Sequence, residues 1–278
     1  MPRRHHFVPE FYLARFTRSG CKDDVLWVIN LQSAERYSAR PKRIATQKGY
    51  YELDIPEEDP ELLEKELARL EGLFRSILQR IESERCLPTG EDFNTILNFV
   101  AYMAARVPTQ REVIEDQYDQ VGRMQLRLAL QSEGRFESLK KEMLESGNDI
   151  VQDARYEEIR EFVFDDDRYT IEVDQNTLIK HMLMNADIIL PLLAKRSWSL
   201  LVATPDAGDL ICSDCPVSLV WSSDMPDQSF WSPGWAMPST EVTMPLSRRM
   251  AIIGRFDGVE EVVEIGRQGV AANRKSVV

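Results

Sequence analysis

Two of the chain's three histidines, His5 and His6, are adjacent and stand just before Pro9 and Tyr12. Imidazole ligates metals and moves protons near neutral pH. The pair reads equally as an exposed polar terminus or as histidines hydrogen-bonded within a core. Glu64 and Glu71, seven residues apart on one expected helix, share a face with the small Ala68 between them. Many metal sites are built from such carboxylates, and so is the solvated flank of an amphipathic helix. Asp214 stands in Cys212-Ser213-Asp214-Cys215-Pro216 between two expected strands, where a loop acid projects into a cleft or bonds its own backbone. The CxxC spacing has no second cysteine pair or nearby histidine to complete a zinc site, so the chemistry is assigned to Asp214 and not to the thiols. Arg106, ahead of Pro108 at the end of an apolar helix, either caps carbonyls or clamps an anion. The expected catalytic set is therefore His5, His6, Arg106 and Asp214, with His6, Glu64, Glu71 and Asp214 as ligands for a divalent cation, Mg or Mn.

The frame around these residues is that of an ordinary globular chain. Its 278 residues are 43% hydrophobic and 29% charged, with 13 glycines and 14 prolines, which excludes a disordered or collagenous chain. No membrane association is expected, because the apolar run near Ile188–Leu193 is interrupted by Pro191 and falls short of the roughly 20 residues of a span. The start, MPRRHHFVPEFYL, lacks the apolar stretch of a signal peptide. Four scattered cysteines suit a reducing cytoplasm. Net charge is −12, yet residues 1–50 hold ten bases against four acids and are +6, leaving −18 for the rest. A basic head on an acidic body meets a phosphate-bearing ligand such as nucleic acid, or docks on the acidic helices of its own chain.

Periodicity predicts an α+β fold: one domain over 1–278, with a basic N-terminal segment (1–55), a helical bundle (about 60–196) and a C-terminal antiparallel sheet (197–268) joined by an N-terminal strand. Val25–Ile29 is β-branched and aromatic, so it is that strand. Leu63, Leu67, Leu70, Phe74, Ile77, Leu78 and Ile81 mark one helical stripe. A more apolar helix follows over about Glu91–Arg106, and a long polar one runs from Thr109 to about Gln131. Two surface helices are expected in Gly134–Asp167, then an apolar helix capped by Asp174 that Pro191 should kink or end. Short strands follow at 198–203, 210–212, 217–221, 241–244, 250–255 and 259–265, with Asp206–Asp209 and Asp257-Gly258 read as hairpin turns. The loop from Trp221 to Pro238 offers Trp221, Trp231 and Trp235 to a protein partner.

HHFVPEFYLARF, PKRIATQKGYY, LEKELARLEGLF, AARVPTQRE, WSLLVAT, LICSDCPV and MPLSRRMAI, in this order, resemble the bacterial family known as domain of unknown function 4238. The resemblance implies that His5, His6, Glu64, Glu71, Arg106 and Asp214 converge. It implies asparagine as the common residue where Cys215 stands, and relatives that continue into a helix near Asn273. Two functions follow. One is a metal-assisted hydrolase acting on a phosphodiester, a nuclease effector of phage defence or a toxin. The other is a binding or regulatory module whose polar motifs form a buried structural network.

Overall fold

The computed structural model describes residues 4–147, 151–222 and 232–270, so Trp231 and Asn273 lie outside the described residues. The fold is α+β. The leucine-rich stripe forms α2 (Leu62–Glu84), which buries Leu67, Phe74, Ile77, Leu78 and Ile81 and ends at Arg85 in the left-handed region (φ 53°). Next comes α3 (Gly90–Ala105), buried on several sides as its composition predicts. The short α1 (Glu10–Ala14) wedges aromatic rings between them: Phe11 meets both Phe74 and Phe99, which stack with centroids 3.9 Å apart.

The molecule divides into two compact units, residues 1–110 with 179–278 and residues 111–178, the boundaries falling inside α4 (Pro108–Ala129) and α7 (Gln175–Ala194). In the smaller unit, α5 (Glu133–Glu145) and α6 (Tyr156–Val163) bury Leu130, Phe136 and Val163 together. Asp174 caps α7, accepting from the Thr177 N–H (2.9 Å) and hydroxyl (2.6 Å). α7 continues past Pro191 to Ala194, because a proline three residues from a helix end removes only one late hydrogen bond. By length and composition alone α7 is apolar enough to cross a membrane, a test that core helices also pass.

The C-terminal sheet is five-stranded in the order β6-β7-β8-β5-β9: β6 (Ser218–Trp221), β7 (Thr240–Pro245), β8 (Met250–Arg255), β5 (Ser197–Ala203) and β9 (Val262–Ile265). Three expectations are corrected here. The sheet is mixed, since β9 runs parallel to β5 while the other pairs are antiparallel. The chain after β8 therefore crosses over β5, and Asp257-Gly258 is not a hairpin turn. Residues 204–212 form neither a hairpin nor a strand. They are pinned by the β7–β8 loop, where Arg248 pairs with Asp209 and Arg249 donates to the carbonyls of Ala203, Thr204 and Gly208.

The third correction concerns the N-terminal strands, which do not join this sheet. β1 (Arg4–His6) pairs with β4 (Thr46–Lys48), and β2 (Leu26–Ile29) with the neighbouring β3 (Arg36–Ala39), so each completes a two-stranded ladder within the first fifty residues. The N-terminal segment reaches the sheet through α1 instead: the fully buried Tyr12 hydroxyl donates to the Pro245 carbonyl of β7. Tyr12→Phe leaves that carbonyl without its donor. The expected loss is about 1–2 kcal/mol, read as a drop in melting temperature of roughly 2–8 °C, and an unchanged melt would show the contact to be dispensable.

Candidate functional site

The β1–β4 ladder sets the first two side chains. Register pairs His6 with Thr46, His5 with Gln47 and Arg4 with Lys48, and strand alternation sends the two imidazoles to opposite faces. His5 is buried. Its ring stacks on Tyr51 (centroids 5.7 Å apart), and its Nδ1 accepts the Tyr51 backbone N–H at 3.0 Å, so the neutral ring carries its proton on Nε2. Tyr50 and Tyr51, both fully buried, extend the network: the Tyr50 hydroxyl donates to the Arg106 carbonyl (2.8 Å) and the Tyr51 hydroxyl to the His6 carbonyl (3.4 Å).

Arg106 ends α3, where a cation suits the negative end of the helix. Only 1% of its side chain is exposed, and it donates from Nη1 to Glu71 Oε1 (2.9 Å) and from Nη2 to Met103 Sδ (3.0 Å). Glu71 keeps 22% of its side chain in solvent. Glu64, two turns earlier on α2 and half-buried, has its carboxyl pushed up by burial and then by the Glu71 charge, against the pull of Arg106.

His6 is the open half of the pair. Burial lowers its pKa, while Glu10, a hydrogen bond to the Pro41 carbonyl and Glu71 act the other way. Nε2 is buried and bonds to nothing among the described residues. The Pro41 carbonyl belongs to a 3-10 turn, Pro41–Arg43, whose flanking Arg40, Lys42 and Arg43 are exposed, as are Arg4 and Lys48 on the ladder. Basic side chains therefore flank the imidazole on two strands.

Five of the expected site residues thus come together: His5, His6, Glu64, Glu71 and Arg106. Asp214 does not join them. It is exposed, it helps push the Cys212 thiol pKa up, and it is not among the main charges acting on His6, Glu64 or Arg106. Its loop folds on itself through the Ser213 hydroxyl, which donates to the Cys215 carbonyl (2.8 Å) and accepts the Cys215 N–H (3.1 Å). Burial pushes the Cys212 thiol up to about 12, so it is protonated at neutral pH and a poor nucleophile. The thiol donates to the Ser213 carbonyl (3.2 Å), while Cys215 Sγ lies 3.1 Å from Thr109 Oγ1. Among the described residues no three His, Cys, Asp or Glu side chains gather closely enough to hold a metal ion. With Glu71 tied to Arg106, His6 Nε2 and the Glu64 carboxylate are the donors left to a cation here, an incomplete set.

Sequence reasoning missed Glu10, which opens α1 four residues after His6, and the Pro41 carbonyl, which favours the charged form of His6. The first had a signal in its spacing, and the second, being backbone, had none. It also missed Arg196, buried and donating to the carbonyls of Thr240 (2.6 Å) and Trp235 (2.8 Å), so the half-buried Trp235 is held against the sheet. Trp221 is half-buried as well, and the large exposed tryptophan among the described residues is Trp27.

An α+β chain with a buried His–Tyr–Arg network opening onto a half-exposed histidine and two glutamates is the class of protein that fold and site define. The profile of the family described as "Protein of unknown function (DUF4238)" matches residues 4–278, and the chain belongs to that family. No curated protein and no solved structure matches it.

Proposed function

We propose that this protein is a hydrolase of phosphodiesters, most simply of nucleic acid, working at the His6–Glu64–Glu71–Arg106 cluster. The observation that carries the reading is His6 itself: an imidazole whose charged form burial disfavours, with Nε2 unbonded among the described residues and exposed bases on both flanking strands. Perturbed ionisable groups gather at functional sites more than elsewhere. In this reading His6 Nε2 takes the proton from the attacking water or hydroxyl, and Glu64 returns one to the leaving oxygen. Arg106, held by Glu71, supplies fixed positive charge, and the basic rim draws the polyanion in. A nuclease effector in the cytoplasm is the setting such an activity fits. No step is routed through a metal, because the ligand set is incomplete; Mg and Mn enter as variables of the assay.

The test is cleavage of DNA and RNA by the purified chain with EDTA, Mg or Mn. His6→Ala and Glu64→Gln are each expected to lower the rate about a hundredfold without loss of fold. The pH profile follows from the two shifts. The base form of His6 is gained as pH rises through a value below 6.5, and the acid form of Glu64 is lost as pH rises through a value above 4.5. The rate should peak between those limits, on the acid side of neutrality. Cleavage that is unchanged in both variants, or an optimum above pH 8, removes the reading.

One observation favours the non-catalytic alternative for the buried half of the cluster. His5, Tyr50, Tyr51 and Arg106 are buried and hydrogen-bonded across three segments, so they brace the open half whether or not it turns over a substrate.

A further inference from the structure

Two apolar surfaces remain open on this chain, one fringed by bases and the other on a unit with an excess of acids. The first is the β2–β3 hairpin. Its register places Trp27 opposite Ser38 and Ile29 opposite Arg36 on one face, with Trp27 76% and Ile29 56% exposed, and Leu31 just beyond at 64%. Around it Arg18, Lys22, Arg36, Arg40, Lys42, Arg43 and Lys48 are all exposed, seven bases against Asp23, Asp24 and Glu35. Among the described residues none of the seven lies within 4.0 Å of an acid. The second is the solvent face of α4, where Val113, Val121, Met124 and Leu128 are exposed at helical spacing. Beside Met124 and Leu128 lies a groove of about 520 Å³ with Phe164 in its wall. Arg123 and Arg127 at its edge are already paired with Asp119 and Asp166. The unit that contains it, 111–178, holds nine bases and eighteen acids.

An exposed apolar row fringed by unpaired charge marks an interaction site, and the complementary surface is carried by the same sequence. We propose that the β2–β3 hairpin of one copy docks its Trp27–Ile29 face in the α4 groove of a second copy, Trp27 serving as the anchor. Two hairpins meeting face to face would bring their bases together, which opposes that alternative. A single-stranded polynucleotide would stack on Trp27 but leave the aliphatic row in water. Each copy carries both surfaces, and the proposal stands apart from the chemistry at His6.

Sedimentation velocity on the full chain at micromolar concentration tests it. The wild type should dimerise, more weakly as salt rises. Ile29→Glu and Met124→Glu, one on each surface, should each weaken association at least about tenfold with unchanged melting, and the milder Trp27→Ala should move the same way. Mixing the Ile29→Glu and Met124→Glu proteins should restore partial association, because one intact hairpin then meets one intact groove. A monomeric wild type overturns the proposal. So does a dimer that survives Ile29→Glu, or one that Ile29→Glu breaks and Met124→Glu does not. Binding of a single-stranded oligonucleotide or of phosphatidylglycerol vesicles by a monomeric wild type, lost in Ile29→Glu, overturns it in favour of that partner.

Discussion

Glu71→Ala is expected to lower the melting temperature by roughly 6–12 °C, the result of losing about 3 kcal/mol in a chain of this size. The reason is asymmetry within one ion pair. Arg106 is 1% exposed and Glu71 22%. Removing the glutamate strands a guanidinium that cannot reach water, with Glu64 as a more distant countercharge. Removing the arginine leaves a carboxylate that can turn outward, so Arg106→Met should cost about half as much, mainly through lost packing beside Met103. The double variant Glu71→Ala/Arg106→Met should then be no worse than Glu71→Ala alone, because the stranded charge is gone. Equal losses in the two single variants, or additive losses in the double, would show that burial of the guanidinium is not what makes the pair matter.

That pair also shows what the sequence could disclose. Arg106 at a helix end before Pro108 and Glu71 on the leucine stripe were legible, because helix periodicity and proline punctuation fix which face and which end a residue occupies. Their mutual contact was not, since the approach of α2 to α3 is set by packing of Phe74 on Phe99, a tertiary fact. The strands were legible as strands for a local reason, β-branched and aromatic composition. Their partners were not: nothing in VVEI announces that β9 pairs parallel with β5, or in LWVI that β2 stays with β3.

The site divides along the same line. His6, Glu64, Glu71 and Arg106 converge as their residue types suggested, while Asp214 was misplaced because a loop acid between strands looks the same whether it faces a cleft or water. What completes His6, the Pro41 carbonyl and Glu10, is a matter of fold geometry. The same geometry separates the histidines: adjacent in sequence, they alternate across β1, so one is buried in the network and the other is half-buried.

The largest stability effect is expected at the sheet. Trp198 on β5 is 2% exposed, lies directly across from Gly254 on β8, and donates its indole N–H to the Leu193 carbonyl at 3.0 Å. Trp198→Ala should cost about 4 kcal/mol, a fall in melting temperature of roughly 8–16 °C, because a large buried ring and a hydrogen bond vanish together. Gly254 is glycine for the same ring: a Cβ there would sit 2.8 Å from two indole carbons. The indole is pinned by its hydrogen bond and cannot retreat, so Gly254→Ala should cost about 1–3 kcal/mol by overpacking. In the Trp198→Ala background the added methyl meets empty space, and Gly254→Ala should become nearly neutral or mildly stabilising. The two losses are thus expected to be strongly non-additive, with a coupling of about 1–3 kcal/mol between residues in contact. Additive melts across the four proteins would mean that the glycine is not there to admit the tryptophan.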